Sequence, residues 1–271
     1  MAARALQRLR GEVIRTRDLP AAPSALVAAL SLTDADEHAD QLIALVAHDP
    51  ALYAKVLRVA NSTLFGQRRA VASAERALLV LGFSTLRNLV LGMSVWEDLG
   101  RGVPRPELEA LWRHSLLTAR LSHDLAMCVA VDRDAAFAAG MLHDAGRLVL
   151  ARHFGAEYWQ ALERCADGTP VDRAERDSFD VDHARVAGWL FEAWALPEAL
   201  TRAAQEHHHE HPPDVLGRVV GTANRLLRAP LPGCGDAAGI DDELDRAASL
   251  LGIDRETVLW HLSTVAATED V

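Results

Sequence analysis

The sequence has few cysteines and almost no lysine, and each shortage excludes a class of chemistry. Its three cysteines are odd in number and far apart, at positions 128, 165 and 234. This spacing provides no disulfide framework and no Cys-x-x-Cys metal site, so we expect a reducing, cytoplasmic location. Lys55 is the only lysine in the chain. Because an arginine side chain is effectively never a general base, lysine-based catalysis is nearly excluded.

Long apolar runs and a surplus of positive charge are also missing. No window approaches the ~18 apolar residues that a membrane span requires. The N-terminal residues alternate arginine with small and apolar residues, and they lack the apolar core of a signal peptide. The formal net charge is −10 and the sequence pI is about 5.6. Since nucleic-acid binders usually carry a basic surplus, we predict no nucleic acid and no membrane among the partners.

Aromatic residues make up only 5% of the chain, and the alternating β-branched runs that are typical of strands are absent. Apolar residues recur instead at spacings of three and four, as at Leu42, Leu45 and Val46. A chain of 271 residues with 50% hydrophobic residues and abundant alanine can bury a sizeable helical core. The sequence therefore predicts an all-α fold.

Capping residues, prolines and glycines divide this helical pattern into segments. They predict helices near residues 24–31, 36–47, 50–61, 73–81, 84–98, 107–129, 133–152, 155–166, 182–194, 197–208 and 214–228, and two short helices after a loop at 230–235. The Gly- and Pro-rich segment 100–106 is the best candidate for a subdomain boundary. We therefore divide the chain into an N-terminal helical subdomain at residues 18–100, a helical bundle at 105–228 and a C-terminal helical extension at 229–271.

Histidines in apolar, helix-like stretches give the strongest functional signal. His143 and Asp144 are adjacent, and together they offer an imidazole nitrogen and a carboxylate oxygen, a pair suited to a divalent metal. The spacing of the other histidines allows four separate helices to point ligands into one interior, as helix bundles do in metal sites. The candidate metal ligands are His114, His143, Asp144, His183, His207 and His208.

The alternative for any one of these is structural, because a single histidine on an apolar helix is more often a packed, hydrogen-bonded residue than a ligand. We apply that interpretation to the remaining isolated histidines. These are His38, His48, His123, His153 and His261. His209 and His211 are predicted to lie at a solvated helix end, since two prolines follow them.

The candidate ligands and the motifs around them resemble a known family. Residues 105–228 resemble the HD superfamily of metal-dependent phosphohydrolases, and residues 18–92 resemble the segment that distinguishes its HDOD branch. The motifs that carry the resemblance lie at residues 18–20, 48–52, 57–62, 65–66, 77–82, 86–89, 112–115, 136–146, 183–188 and 194–197. The resemblance implies an all-α fold in which an N-terminal helical subdomain packs on an HD-like helical bundle.

The resemblance also implies a metal site, with one departure from the pattern of catalytic members. His114, His143 and Asp144 match the first three ligands of catalytic HD proteins, but the later aspartate is replaced by Asn224. An amide oxygen carries no charge, so we expect weaker metal binding and a less activated water. An imidazole-rich shell favours iron (Fe), nickel (Ni) or zinc (Zn) over magnesium.

A second departure concerns the HD-GYP branch, which cleaves cyclic dinucleotides. His183, His207 and His208 match histidines that complete a multinuclear site there. The lysine after the HD pair is replaced by Arg147, and residues 211–214 stand where the Gly-Tyr-Pro loop would be. The resemblance therefore argues against cyclic-dinucleotide hydrolysis, and Arg147 and Asn224 are expected beside the metal rather than among its ligands.

Two functional hypotheses remain. The first is a regulatory protein of signal transduction that binds a metal, has little or no hydrolase activity and acts through a signalling protein partner. The second is a metal-dependent phosphohydrolase acting on a phosphate ester or nucleotide; the sequence assigns it no catalytic residue. Residues 18–92 are predicted to contribute a partner-binding surface, or else only to cover apolar faces of the bundle. The oligomeric state is left open.

Overall fold

The structure is a computed structural model, and it describes residues 22–66, 70–163, 169–228 and 237–268. These residues form helices without any strand, so the predicted all-α fold is confirmed. The helices are α1 (Ser24–Ser31), α2 (Ala35–His48), α3 (Pro50–Asn61), α4 (Ala74–Leu81), α5 (Phe83–Leu99), α6 (Arg105–Ala126), α7 (Arg133–Leu142), α8 (Ala145–Phe154), α9 (Ala156–Glu163), α10 (Val171–Phe179), α11 (His183–Ala193), α12 (Glu198–Glu206), α13 (Val215–Arg228), α14 (Ala237–Leu251) and α15 (Arg255–Ala266), with a short 3-10 turn at Thr63–Phe65.

Aspartate caps explain why several of these helices begin where they do. Asp49 accepts hydrogen bonds from the backbone N–H groups of Ala51 and Leu52, at 2.8 and 3.2 Å. Pro50 occupies the first helical position, where no N–H is needed. Asp182 caps α11 in the same way through the N–H of Arg185. This cap fixes the start of the helix whose first residue is a candidate ligand, His183.

The predicted helix at residues 133–152 is wrong, because the structure breaks it at the His-Asp pair. Helix α7 ends at Leu142 and α8 begins at Ala145. Nδ1 of His143 donates to the carbonyl oxygen of Gly140 at 2.7 Å. In a continuous helix that oxygen would accept from the N–H of residue 144. The side-chain bond thus accompanies a break that leaves His143 and Asp144 between two helices.

Helix α10 was not predicted at all. Its sequence, VDRAERDSF, is polar, and only Ala174 and Glu175 are buried. Hydrophobic periodicity therefore gave no signal there. Oppositely charged residues four positions apart could have indicated this helix from the sequence. In the structure Arg176 pairs with Asp172 at 2.6 Å, and Arg173 pairs with Asp177 at 4.0 Å.

Helix α6 lies at the centre of the later helices and packs against α7, α13 and α15. Helix α11 packs between α8 and α12, and its approach to α8 is very close at Gly146. A Cβ atom on Gly146 would collide with the backbone carbonyl of His183. Glycine at this position therefore allows the two helices to bring their histidine and aspartate ligands together.

The earlier helices contact the later ones through α5, which packs against α1, α7 and α8. Within the described ranges no single helix is long and apolar enough to cross a membrane. The adjoining α4 and α5 together reach that length and composition, but they bend by 115°. The division of the chain at residues 100–106 stays a prediction. Residues 18–21 and the loop at 230–235 lie outside the described residues, as do Cys165 and Cys234, while Cys128 is a free, exposed thiol.

Asn61, at the end of α3, has a structural role. Its Nδ2 donates to the carbonyl oxygens of Leu57 and Val71, both at 2.8 Å, and its Oδ1 accepts from the N–H of Val71 at 2.7 Å. One side chain therefore ends the helix and ties the returning chain to it. This explains why an asparagine here interrupts the helical pattern.

Candidate metal centre

The structure brings all six candidate ligands together from separate elements. His114 comes from α6, His143 and Asp144 from the break between α7 and α8, His183 from the start of α11, and His207 and His208 from the end of α12. Their ligand atoms form two groups, in each of which all atoms lie within 4.8 Å of one another. The groups are His114, His143 and Asp144, and Asp144, His183, His207 and His208.

Asp144 is common to both groups, and its Oδ1 lies at the middle of the cluster. Nε2 of His143, His183 and His207 lie 3.3, 3.1 and 3.7 Å from this oxygen. Ligand atoms bound at about 2.1 Å to one ion are about 3.0 Å apart in octahedral and about 3.4 Å apart in tetrahedral geometry. The side chains thus already have the mutual spacing of atoms around one metal ion.

Hydrogen bonds on the far side of each ring orient these imidazoles. Nδ1 of His207 lies 2.7 Å from the carbonyl oxygen of Ala204, as Nδ1 of His143 does from that of Gly140. Nδ1 of His183 lies 2.5 Å from Oε2 of Glu175. Because Nδ1 must donate in each of these bonds, the lone pair of the neutral ring is on Nε2, which faces the cluster.

Two of the inward-facing ligand atoms have no hydrogen-bond partner in the described part of the protein. Nε2 of His143 and Oδ1 of Asp144 are buried and have no hydrogen-bond partner. Nε2 of His183 lies 2.8 Å from Nε2 of His208 and 3.3 Å from that of His207. Lone pairs at these distances repel unless a proton or a cation lies between them. The residues present therefore fit a divalent metal ion.

Burial also holds most of the imidazoles in the neutral form that a metal requires. It lowers the pKa of His114 to about 3, with Asp144 opposing the shift. The pKa values of His143, His207 and His208 are likewise lowered, with burial as the main cause. Unprotonated nitrogens at neutral pH are the donors that transition metals bind.

His183 differs because two carboxylates flank it. Burial acts to lower its pKa, but Glu175 and Asp144 outweigh burial and raise it to about 9. Burial alone would raise the pKa of Asp144, yet its electrostatic interactions with His143, His183 and Arg147 hold it well below its usual range. Asp144 is therefore an anion at neutral pH, and it attracts a cation to the cluster.

Asn224 lies at the edge of the cluster, beside His114. Its Oδ1 lies 2.9 Å from Nε2 of His114, and its Nδ2 is buried without a partner. The amide brings no negative charge to this side of the site. Asp144 is thus the only carboxylate in the two candidate ligand groups.

A layer of charged groups surrounds the cluster, and sequence reasoning found only part of it. Arg147 and Arg228 both donate to Oδ2 of Asp144, at 3.2 and 3.4 Å. Tyr158 donates to Glu175 at 2.8 Å and accepts from Arg147 at 3.3 Å. Arg147 was singled out in the sequence. Glu175 was missed because it lies in the unpredicted α10, and Arg228 because it ends an otherwise ordinary amphipathic helix.

An open pocket of about 360 Å³ reaches the edge of the cluster. Its lining includes His114, Arg147, Arg228 and the aromatic ring of Trp159. The histidines predicted to be structural belong to neither ligand group: for example, His123 bonds to Asp124, and His261 lies against Cys128. His209 and His211 are exposed, as predicted.

Comparisons with known proteins identify the family and the fold of this chain. The family model of the HDOD domain matches residues 19–210. A crystal structure of an HDOD domain protein of unknown function from Geobacter sulfurreducens is 24% identical, with a TM-score of 0.76 over 98% of this chain and 96% of that one. A protein of Shewanella amazonensis SB2B provisionally described as a phosphohydrolase is also 24% identical, with a TM-score of 0.72 over 96% of this chain and 93% of that one.

Two further relatives are longer than this chain. A protein of Marinobacter aquaeolei VT8, provisionally described as acting in signal transduction, is 22% identical, with a TM-score of 0.75 over 98% of this chain and 63% of that one. An uncharacterized protein of Treponema pallidum (strain Nichols) is 25% identical over 223 residues, which are 79% of this chain and 43% of that protein. This chain therefore spans less than half the length of its Treponema relative. At these identities the solved structures establish the fold.

Proposed function

This chain belongs to the HDOD family, and from that premise we propose that it is a metal-binding regulatory protein of signal transduction with little or no hydrolase activity. The family membership rests on the match over residues 19–210. The metal ion, the low hydrolase activity and the protein partner are three separate parts of this proposal.

The observation that carries the proposal is the pair of buried, unsatisfied atoms, Nε2 of His143 and Oδ1 of Asp144. Leaving two such atoms without partners costs roughly 1–3 kcal/mol each, and more for a charged group. A cation between them removes that cost. We propose all six residues, in the two groups that share Asp144, as metal ligands, with iron, nickel or zinc preferred because both groups are rich in imidazole.

The surroundings of Asp144 and His114 support the proposal that this chain has little or no hydrolase activity. A metal in such a site supplies an acidified water and stabilises developing negative charge. Arg147 and Arg228 already neutralise Asp144 through its Oδ2. Asn224 adds no carboxylate on the side of His114. This chain therefore offers no second acidic group within the two ligand groups to accept a proton from water.

One observation favours the second candidate, a phosphohydrolase acting on a phosphate ester or nucleotide. The open pocket beside His114 has Arg147 and Arg228 in its wall, and guanidinium groups recognise phosphate well. Trp159 could contact an aromatic portion of the same molecule. A phosphorylated ligand in this pocket would lie next to the cluster, whether or not it is cleaved.

We propose that the regulatory role runs through a protein partner that contacts the earlier helices. Exposed apolar side chains on those helices support this, namely Leu79 on α4, which is 75% exposed, and Val27 on α1, which is 54% exposed. The side chain of Asn61, at the end of α3, is engaged in internal hydrogen bonds with Val71. The apolar side chains are therefore better candidates for the contact than Asn61.

A hydrolysis screen of the metal-loaded protein tests the proposal. The protein is loaded separately with iron, nickel and zinc and assayed against phosphate monoesters, nucleotides and cyclic-di-GMP. We expect no turnover of cyclic-di-GMP and little of the others. Robust turnover that disappears in Asp144→Ala but persists in Asp177→Asn, an exposed carboxylate variant of α10, would establish the phosphohydrolase instead.

A further inference from the structure

A second pocket lies away from the histidine cluster, between α3, α5 and α6. It has a volume of about 310 Å³, at the lower end of the range for small-molecule sites. Neither the metal centre nor the proposed regulatory contact uses it. Its lining combines two tryptophans with charged side chains at the rim, which is unusual in a chain that has only 5% aromatic residues.

The tryptophans form a fixed aromatic wall. Trp96 and Trp112 pack edge to face, with ring centroids 6.0 Å apart and planes at 83°. The indole N–H of Trp96 donates to the carbonyl oxygen of Met141 at 3.3 Å. Trp96 is only 4% exposed, so it forms the back of the wall, and the half-buried Trp112 supplies the more accessible ring. Met93 and Leu108 add further apolar surface.

The rim of the pocket has an excess of positive charge. Lys55 pairs with Glu97 at 3.0 Å, and Arg105 pairs with Glu109 at 2.8 Å. Arg58 also lines the pocket and has no ion pair among the residues that the structure describes. One guanidinium is therefore available for an anion, beside an aromatic wall.

We propose that this Trp96–Trp112 pocket binds a planar organic anion of mononucleotide size. The ring of the ligand packs on the aromatic wall, mainly against Trp112, and its anionic group pairs with Arg58. Stacking on tryptophan accepts any planar ring, and a guanidinium favours phosphate because it can form two parallel hydrogen bonds.

The test is titration calorimetry with the nucleoside monophosphates AMP, GMP, CMP and UMP. Adenosine provides the ring without phosphate, and ribose 5-phosphate provides the phosphate without the ring. We expect saturable binding of at least one nucleotide and at least 10-fold weaker binding of both fragments. Arg58→Gln should weaken nucleotide binding by at least 10-fold, as the loss of a charge-assisted hydrogen bond does.

Two variants fix the location of the ligand. Arg101→Gln removes an exposed arginine that does not line the pocket, and it should leave the affinity unchanged. Trp159→Leu alters the other pocket, beside His114, and should also leave it unchanged. Absence of saturable binding by all four nucleotides overturns the proposal. Binding that depends on Trp159 and not on Arg58 also overturns it, and would locate the nucleotide beside the metal centre.

Discussion

The helices before residue 100 and those from α6 to α13 have interiors of different chemistry. Among residues 22–66 and 70–99, no ionisable side chain is buried, and the buried polar residues are Ser62, Asn88 and Ser94. In α6–α13 the structure buries carboxylates and imidazoles. They are Asp124, His143, Asp144, Glu175, His183 and His207.

This difference distinguishes the apolar residues that stabilise the fold from the buried carboxylates and imidazoles that we propose bind a metal. Burying an ionisable group is unfavourable unless it is paired or binds a metal, so a stable core has no need of a cluster of them. The earlier helices show that this chain can build a core without burying an ionisable side chain. The cluster of buried ionisable groups in the later helices therefore supports the proposed metal-binding role, since groups with strongly shifted pKa values often mark functional sites.

The largest effect should be the dependence of stability on pH in the metal-free protein. The lowered pKa values of His114, His143, His207 and His208 mean that the unfolded chain binds protons before the folded one does. The contribution of His114 to stability is complete above about pH 6.5 and is lost as the pH falls towards 3, at up to about 1.4 kcal/mol per pH unit. His143, His207 and His208 act in the same direction.

His183 acts in the opposite sense. Its pKa is raised to about 9, so its contribution is complete below about pH 6.5 and is lost as the pH rises through 9. The free energy of unfolding, measured with urea from pH 4 to 10, should therefore have a maximum inside this pH range and fall on both the acid and the alkaline side. Exposed His209 serves as the control, because His209→Ala should keep the profile. A profile without an acid limb would contradict the buried cluster.

Gly146→Ala should cause the next largest loss of stability, because an added Cβ meets the backbone of His183, which cannot rotate away. We expect the free energy of unfolding to fall by about 3 kcal/mol or more. Gly92→Ala is the matched control in the earlier helices, where the added carbon meets the flexible side chain of Met141. Denaturant unfolding should show a smaller loss there, and equal losses would mean that α8 and α11 can separate freely.

Glu175→Gln should weaken metal binding about 10- to 100-fold, since partners of this kind fix the orientation and basicity of a ligating imidazole. The carboxylate of Glu175 accepts from both Nδ1 and the N–H of His183. Asp177→Asn changes an exposed carboxylate on the same helix and should have no effect. Competition with a chelator measures both affinities. An unchanged affinity in Glu175→Gln would remove His183 from the ligands.

The smallest expected loss of stability concerns the earlier helices. Asn61→Ala removes three hydrogen bonds, which should lower the free energy of unfolding by about 1–3 kcal/mol. Metal affinity should not change, because Asn61 belongs to neither ligand group. If the variant instead alters metal binding while it stays folded, the two regions are coupled more strongly than their interiors suggest.

Much of this architecture can be predicted from the sequence, because amphipathic helices repeat apolar residues at spacings of three and four. The bounds of α1 and α3 agree with their predictions, since Pro50 and Asn61 are local signals. The break at His143 could not be predicted from periodicity, because it depends on a side-chain bond to Gly140. Helix α10 has almost no apolar face, so Glu175 and its contact with His183 became visible only in three dimensions.

The most direct test of the metal centre is the number of divalent ions bound per chain. Elemental analysis after reconstitution with iron, nickel or zinc and gel filtration should give about one ion or more per chain for the unaltered protein and for His209→Ala. His207→Ala should lose most of that metal, because its Nε2 faces Asp144. Equal metal content in His207→Ala and His209→Ala, or none in the unaltered protein, would contradict the account.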